Sequence, residues 1–138
     1  MTSTNVDTLK QAYHHWSESK GSSVDHWLSI MADEIDFRSL VDDMPQIPFG
    51  KRPMDRAGVR QYLEGLHQDW EMIYYRVDRY IAQDDDVAVV GATAWRNRRT
   101  GKPAETALVN LWRFKDGKAV GFFEFIATHL VATCCQCD

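Results

Sequence analysis

Three features are scarce in this chain of 138 residues: long hydrophobic runs, cysteine and an excess of positive charge. No stretch approaches the 18 apolar residues expected of a membrane-spanning helix, and residues 1–16 lack the charged-then-apolar order of a signal peptide. The sequence therefore predicts a soluble cytoplasmic protein that does not bind a membrane. A net charge of −4 also argues against a nucleic-acid partner.

Cysteine is confined to the last five residues, as Cys134, Cys135 and Cys137. No disulfide staples the rest of the chain, which fits a reducing compartment. Zinc sites usually take ligands from two separated pairs, and no second pair exists. We expect residues 132–138 to form a solvated, incidental tail. The alternative is a metal or redox role shared between subunits.

What the chain does contain is enough apolar material for one packed domain. Hydrophobic residues make up 44% of the sequence and aromatic residues 12%, including five tryptophans. A chain of this length buries about two-thirds of its unfolded surface. We therefore predict a single domain over residues 1–138, with a core at about residues 6–131.

Helical periodicity dominates the first half of the sequence. Residues 6–19 carry apolar side chains at the spacing of one helix face, and Ser22 or Ser23 can cap a second helix. Residues 34–40 alternate as a short strand, and the proline-rich stretch 41–54 is predicted to be a loop. Asp55 is predicted to start a third helix.

From residue 71 onward the period changes to two. Strands are predicted at about 71–83, 86–98, 104–115 and 118–131, separated by short turns that contain Asp or Gly. Such neighbours pair antiparallel. The prediction is an α+β fold, a curved antiparallel sheet with helices on one face.

Neither of the last two predicted strands has a polar face. Antiparallel sheets with helices on one side normally turn the other side to water. The simplest cover is a second copy of the chain, so we predict a homodimer. The predicted interface residues are Val109, Leu111, Phe123 and Phe125.

The stretch "GFFEFIATHL", residues 121–130, places a single acid, Glu124, among aromatic and aliphatic residues. Burying a carboxylate is costly, which raises its pKa and suits it to accept a proton near neutral pH. The alternative is a structural Glu124 held by an arginine or by backbone donors. The sequence does not separate these two interpretations.

Several segments resemble one known family: "LKQAYHHW", "MADEIDFRSL", "VRQYLEGL", "DDDVAVVGATAW", "TGKP" and "LVNLWRFKDGKAVGFFEFIATH". Together they resemble the nuclear-transport-factor-2-like fold, in its SnoaL-like and ketosteroid-isomerase-like branch. The resemblance implies a cone with a packed closed end and an open end that holds a small, largely apolar ligand. It also implies dimers, which many members form through the outer sheet face. The family includes isomerases, cyclases, dehydratases and epoxide hydrolases, so the fold does not select the chemistry.

The resemblance also suggests roles for individual residues. Glu124 stands where relatives carry an acid on the last strand. Asn110 stands where isomerases carry a proton-donating Asp and scytalone-dehydratase-like members an Asn. An amide can donate to a ligand oxygen but is no acid at neutral pH. The alternative is an Asn110 bonded to the backbone or to Glu124. His15 or Trp16 lies near the position of a pocket tyrosine, with a surface histidine as the alternative for His15.

Three positions depart from the family pattern. Ser39 stands where isomerases have a basic Asp, Phe37 where scytalone dehydratase has a Tyr, and Ala127 where many SnoaL-like proteins have a second acid. The resemblance therefore implies a pocket with one acid and no complete known catalytic set. The predicted lining comprises Phe37, Leu108, Trp112, Phe122, Ile126 and Trp16, and the predicted polar anchors are Glu124, Asn110, Ser39 and His15.

Two functions stay open from the sequence. One is a cofactor-free enzyme that isomerises, cyclises, hydrates or dehydrates a small hydrophobic or polycyclic metabolite, with Glu124 as base and Asn110 orienting a carbonyl or hydroxyl. The other is a non-catalytic ligand-binding or dimerisation module with a degenerate site. No HExxH or similar ligand spacing occurs, so we expect neither a metal nor a cofactor.

Overall fold

The structure is a computed structural model that describes residues 2–40, 42 and 53–136. Most of the predicted loop 41–54, and Cys137 with it, lies outside the described residues. The α+β prediction is confirmed, because the described residues form a curved, unclosed sheet of five strands together with four helices.

The helices are α1 (Thr2–Glu18), α2 (Val24–Ser29), α3 (Arg56–Asp69) and α4 (Thr128–Cys134). The predicted apolar face of α1 is buried, because its spacing of three and four residues places it along one side of the helix. Asp55 caps α3 as predicted, since its side chain accepts a hydrogen bond from the Gly58 backbone N–H at 2.8 Å. Ser23 precedes α2 at the capping position, but its side chain makes no capping bond.

The strands are β1 (Met31–Ser39), β2 (Trp70–Gln83), β3 (Asp86–Asn97), β4 (Pro103–Lys115) and β5 (Lys118–Phe125). Their order across the sheet is β1-β5-β4-β3-β2. The pairs from β2 to β5 are antiparallel, as the short turns predicted, and β1 joins β5 in parallel. Helices α1 and α3 pack against the sheet and enclose the main core with it.

Strand β2 does not keep one register along its length. Its pairing with β3 shifts between Met72 and Tyr74 and again between Val77 and Arg79. Each shift leaves one extra residue in β2, which inverts the alternation of its side chains. The residues of β2 that pack inward are, in order, Trp70, Met72, Tyr75, Val77 and Tyr80.

Gly91 of β3 lies beside the second of these shifts and pairs with Val77. A Cβ atom at this position would lie 2.0 Å from the Arg76 carbonyl oxygen. Only glycine lets the two backbones approach this closely. The residue therefore supports the bent course of β2.

The predicted last strand is too long. β5 ends at Phe125 rather than at residue 131, and α4 follows. The strand stops because the Ala127 N–H bonds to the Thr106 side-chain oxygen at 3.0 Å and leaves the ladder. His129, which falls within the predicted strand 118–131, is instead an exposed residue of α4.

The prediction of a solvated cysteine tail is wrong for Cys134 and Cys135, which are 5% and 7% exposed. The end of α4 packs on the turn between β3 and β4. Thr100 Oγ1 donates to the Cys134 carbonyl at 2.5 Å, and the Arg99 guanidinium donates to the Cys135 carbonyl. Both thiols are enclosed by this contact, and burial raises their pKa values. The two cysteines therefore belong to the packed fold.

The outer face of the sheet is apolar at its centre. Leu111 and Phe125 are 45% and 37% exposed, and the rings of Phe123 and Phe125 stack with centroids 4.5 Å apart. Among the described residues, no helix combines the length and the apolar character needed to span a membrane.

Candidate functional site

A cavity of about 120 Å³ lies between the helices and the inner face of the sheet. Its walls are mainly aromatic, and all five tryptophans of the chain contribute to them. The aromatic lining residues are Tyr13, Trp16, Trp27, Phe37, Tyr62, Trp70, Tyr75, Trp95, Trp112 and Phe122. Such a lining suits an apolar ligand with ring systems.

The structure brings most of the residues predicted from the sequence to this cavity. Those that line it are Trp16, Phe37, Asn110, Trp112, Phe122, Glu124 and Ile126. Leu108 does not line the cavity and is buried elsewhere at 2% exposure. Ser39 does not line the cavity, but it hydrogen-bonds two residues that do, Glu124 and Tyr62.

Glu124 is held between two neighbouring strands. It pairs with Ser39 of β1 on one side and with Asn110 of β4 on the other. Ser39 Oγ donates to Glu124 Oε1 at 3.4 Å, so among the described residues a hydroxyl, rather than an arginine, bonds to this carboxylate. Burial raises the pKa of Glu124 to about 7, the Ser39 hydrogen bond lowers it in part, and the negative charge of Asp42 raises it further.

A hydrogen-bonded network, consisting of Tyr13, Tyr75, Asn110 and Trp112, forms the polar floor of the cavity. Asn110 Nδ2 donates to the hydroxyl oxygens of Tyr13 at 2.6 Å and Tyr75 at 2.9 Å, and Trp112 Nε1 donates to Tyr13 at 2.9 Å. The Asn110 amide nitrogen therefore bonds to two tyrosines, and not to the backbone or to Glu124 as the alternative for this residue proposed. The network joins α1, β2 and β4.

The tyrosines of the site stay protonated at neutral pH. Burial raises the pKa values of Tyr13, Tyr62 and Tyr75 well above the usual value, and the negative charge of nearby Glu124 raises them further. These side chains can therefore donate or accept hydrogen bonds but do not carry charge. Glu124 is thus the group in the described lining that titrates near neutral pH.

The SnoaL-like domain family matches residues 9–122 of the sequence. The chain belongs to the SnoaL-like family. The match extends through most of the sheet and includes the cavity floor. No protein of curated function matches the sequence at a significant level.

Solved structures share the fold of this SnoaL-like protein over nearly its whole length. An NTF2-like protein from Burkholderia thailandensis E264 is 25% identical, with a TM-score of 0.80 and coverage of 96% of this chain and 97% of that one. TerC, co-crystallised with polyporic acid, is 20% identical with a TM-score of 0.82, covering 96% and 98% of the two chains. A putative SnoaL-like polyketide cyclase from Mesorhizobium loti is 16% identical with a TM-score of 0.71, covering 87% and 97%. The last two likenesses concern the fold alone.

The predicted position of His15 in the pocket of this SnoaL-like protein is wrong. His15 is exposed on α1, and its ring lies 4.3 Å from that of His26 on α2. Tyr13 faces the cavity instead, because it shares the buried stripe of α1 with Trp16. The pKa of His26 is lowered by partial burial and by the neighbouring His15.

The lining residues that the sequence did not indicate include Tyr75, Trp95 and, from α4, Val131. The signal for Tyr75 is hidden by the register shift before it, which turns Tyr74 outward to bond with Glu105 at 2.7 Å. Within the described part of the chain, no group of three His, Cys, Asp or Glu residues lies close enough to hold a metal ion.

Proposed function

We propose that this SnoaL-like protein binds a small, mostly apolar molecule in the aromatic cavity and performs acid–base chemistry on it with Glu124. The observation that carries the proposal is a cavity-lining carboxyl whose pKa lies at about 7. At this pKa both protonation states are populated near neutral pH, so one group can take a proton and return it. Isomerisation, cyclisation and the addition or loss of water all need such a transfer.

The polar floor supports the same proposal. A reaction of a carbon acid needs a hydrogen-bond donor where negative charge develops on oxygen. Tyr75 lines the cavity, stays protonated, and is tied in place by Asn110. We propose that its hydroxyl contacts a carbonyl or hydroxyl of the ligand, with Asn110 positioning it.

The relatives guide the choice of ligand. TerC has been crystallised with polyporic acid, and the Mesorhizobium loti protein carries the name of a polyketide cyclase. From these relatives we extend to this chain only the general class of ligand, a small organic molecule held inside the cone. Aromatic and polycyclic carbonyl compounds are therefore the first panel for a thermal-shift screen.

The decisive experiment combines binding with proton exchange. A bound ketone is incubated in deuterated buffer, and loss of its α-proton signal is followed by NMR for the wild type and for Glu124→Gln. We expect binding in both proteins and a loss of exchange of about a hundredfold in the variant. The control is Glu105→Gln, an exposed acid on the outer face of β4.

The rival function is a binding module without catalysis. It is favoured by the absence of a second acid among the described lining residues. Ligand binding without any exchange in the wild type would establish this rival. Exchange that persists unchanged in Glu124→Gln would show that another group is the base.

We also propose that two copies pack through the outer sheet face. The strand registers place six apolar residues in a contiguous patch, namely Ala88, Val90, Val109, Leu111, Phe123 and Phe125. Phe123→Asp should convert a dimer to a monomer in sedimentation, whereas Met54→Asp, at an exposed apolar site before α3, should not. A wild-type protein that sediments as a monomer would contradict this assembly.

A further inference from the structure

Two hydrogen-bond acceptors lie side by side on the cavity wall. Asn110 of β4 and Glu124 of β5 are direct cross-strand partners, and both line the cavity. Asn110 is 1% exposed, and its Oδ1 atom has no hydrogen-bond partner among the described residues. An unpaired buried acceptor costs about 1–3 kcal/mol. A ligand that carries a donor would remove this cost.

The charge around these acceptors is negative. The described lining contains no Lys, Arg or His, so no cation from this part of the chain faces Glu124 there. The Ser39 hydroxyl contacts Glu124 at a long 3.4 Å, and the Asp42 carboxylate adds further negative charge. A ligand anion would be repelled here, whereas a ligand cation would be attracted.

The aromatic walls of the cavity also favour a cationic ligand. The faces of tryptophan and tyrosine rings attract cations through their quadrupoles, most strongly where water is excluded. All five tryptophans and three tyrosines line this cavity. An aromatic lining with one carboxylate among its described residues is therefore complementary to a cation that carries apolar groups.

The size of the cavity limits the ligand. A closed cavity of about 150 Å³ is sufficient for benzene, and this cavity measures about 120 Å³. The enclosed space therefore has room for at most one ring or a compact alkyl group. Larger ligands would extend out of the mouth.

We propose that the cavity binds a protonated amine with a small apolar body, its ammonium group donating to Asn110 Oδ1 and to the Glu124 carboxylate. This inference rests on the proposed binding function and names the ligand class of that site. Glu124 then has the role of counter-ion in the complex. Tyr13 and Tyr75 hold the Asn110 amide so that its oxygen stays available to the ligand.

Three probes of equal size test the inference. Benzylamine, benzyl alcohol and ethylbenzene share one ring and the same number of heavy atoms, and they end in a cationic donor, a neutral donor and no donor. Binding is measured at pH 8 by tryptophan fluorescence and by titration calorimetry. We expect benzylamine, which is protonated at this pH, to bind about tenfold more tightly than benzyl alcohol, and ethylbenzene to bind most weakly.

Two variants locate the effect. Glu124→Gln keeps the shape of the side chain and should abolish the preference for benzylamine, while ethylbenzene binds as in the wild type. Glu105→Gln removes an exposed carboxylate from the other face of the sheet and should leave the preference intact. Far-UV circular dichroism confirms that each variant is folded.

The outcomes separate this inference from the proposed function. If the neutral probes bind as tightly as benzylamine, the inference is overturned and the apolar binding function stands. If none of the three probes binds, the inference is overturned and the binding function loses its support as well. A preference for benzylamine that survives in Glu124→Gln would also overturn it, because the charge would then be recognised elsewhere.

Discussion

Replacing Glu124 by Gln should make the stability of the protein less sensitive to pH. In the folded state the pKa of Glu124 is raised from 4.5 to about 7. Between these values the folded protein holds a proton that the unfolded chain has released, so the free energy of unfolding falls as pH rises through this window. Each pKa unit corresponds to about 1.4 kcal/mol, which gives a loss of about 3 kcal/mol. Gln does not titrate and avoids this loss.

The measurement is a difference between two urea-denaturation series, one for the wild type and one for Glu124→Gln. Both are recorded from about pH 4 to pH 8. The contributions of the other titrating groups to the pH dependence cancel in the difference between the two proteins. The stability of the variant relative to the wild type should increase by about 3 kcal/mol across the range. Glu105→Gln measures what the loss of one exposed carboxylate does by itself. Two curves for Glu124→Gln and the wild type that stay parallel would refute the assignment of a desolvated carboxyl.

Two further predictions concern the fold around the site. Gly91→Ala should destabilise the protein by about 1–3 kcal/mol or prevent folding, because the new Cβ would overlap the Arg76 carbonyl. The measurement is urea denaturation. The matched control is Gly121→Ala, whose Cβ would make only an ordinary contact at 3.5 Å. Tyr13→Phe should cost about 1–3 kcal/mol, because the buried Trp112 indole N–H loses its acceptor. An unchanged denaturation midpoint in Gly91→Ala or in Tyr13→Phe would contradict the contacts described for that residue.

The sequence predicted the sheet well where its strands are regular. β4 keeps one phase from Pro103 to Lys115, so alternation assigned Asn110 and Trp112 to the inner face and Leu111 to the outer one. β2 could not be assigned in this way, because its two register shifts leave no mark in residue type. Helix α4 was also missed, because "IATHLVAT" contains the β-branched residues that favour a strand.

Some residues of the candidate site could likewise be predicted from the sequence, and others could not. Glu124 could be found from the sequence, because a lone acid in an apolar strand is conspicuous in any alternating pattern. The choice of Tyr13 over His15 depended on the exact rotation of α1, which one residue changes by about 100°. The Asn110 oxygen, which has no partner among the described residues, could not be predicted, because two tyrosines from different elements meet at the amide nitrogen.

The register shifts of β2 also determine which changes in chain length this protein can absorb. Ile73 and Asp78 are the residues without a counterpart on β3. A chain that lacked either one would present the same side chains to the cavity and the same side chains to solvent. A deletion elsewhere in β2 would turn part of the strand over and exchange its two faces. Chains of this architecture can therefore differ by one residue within a paired strand and still keep the same wall.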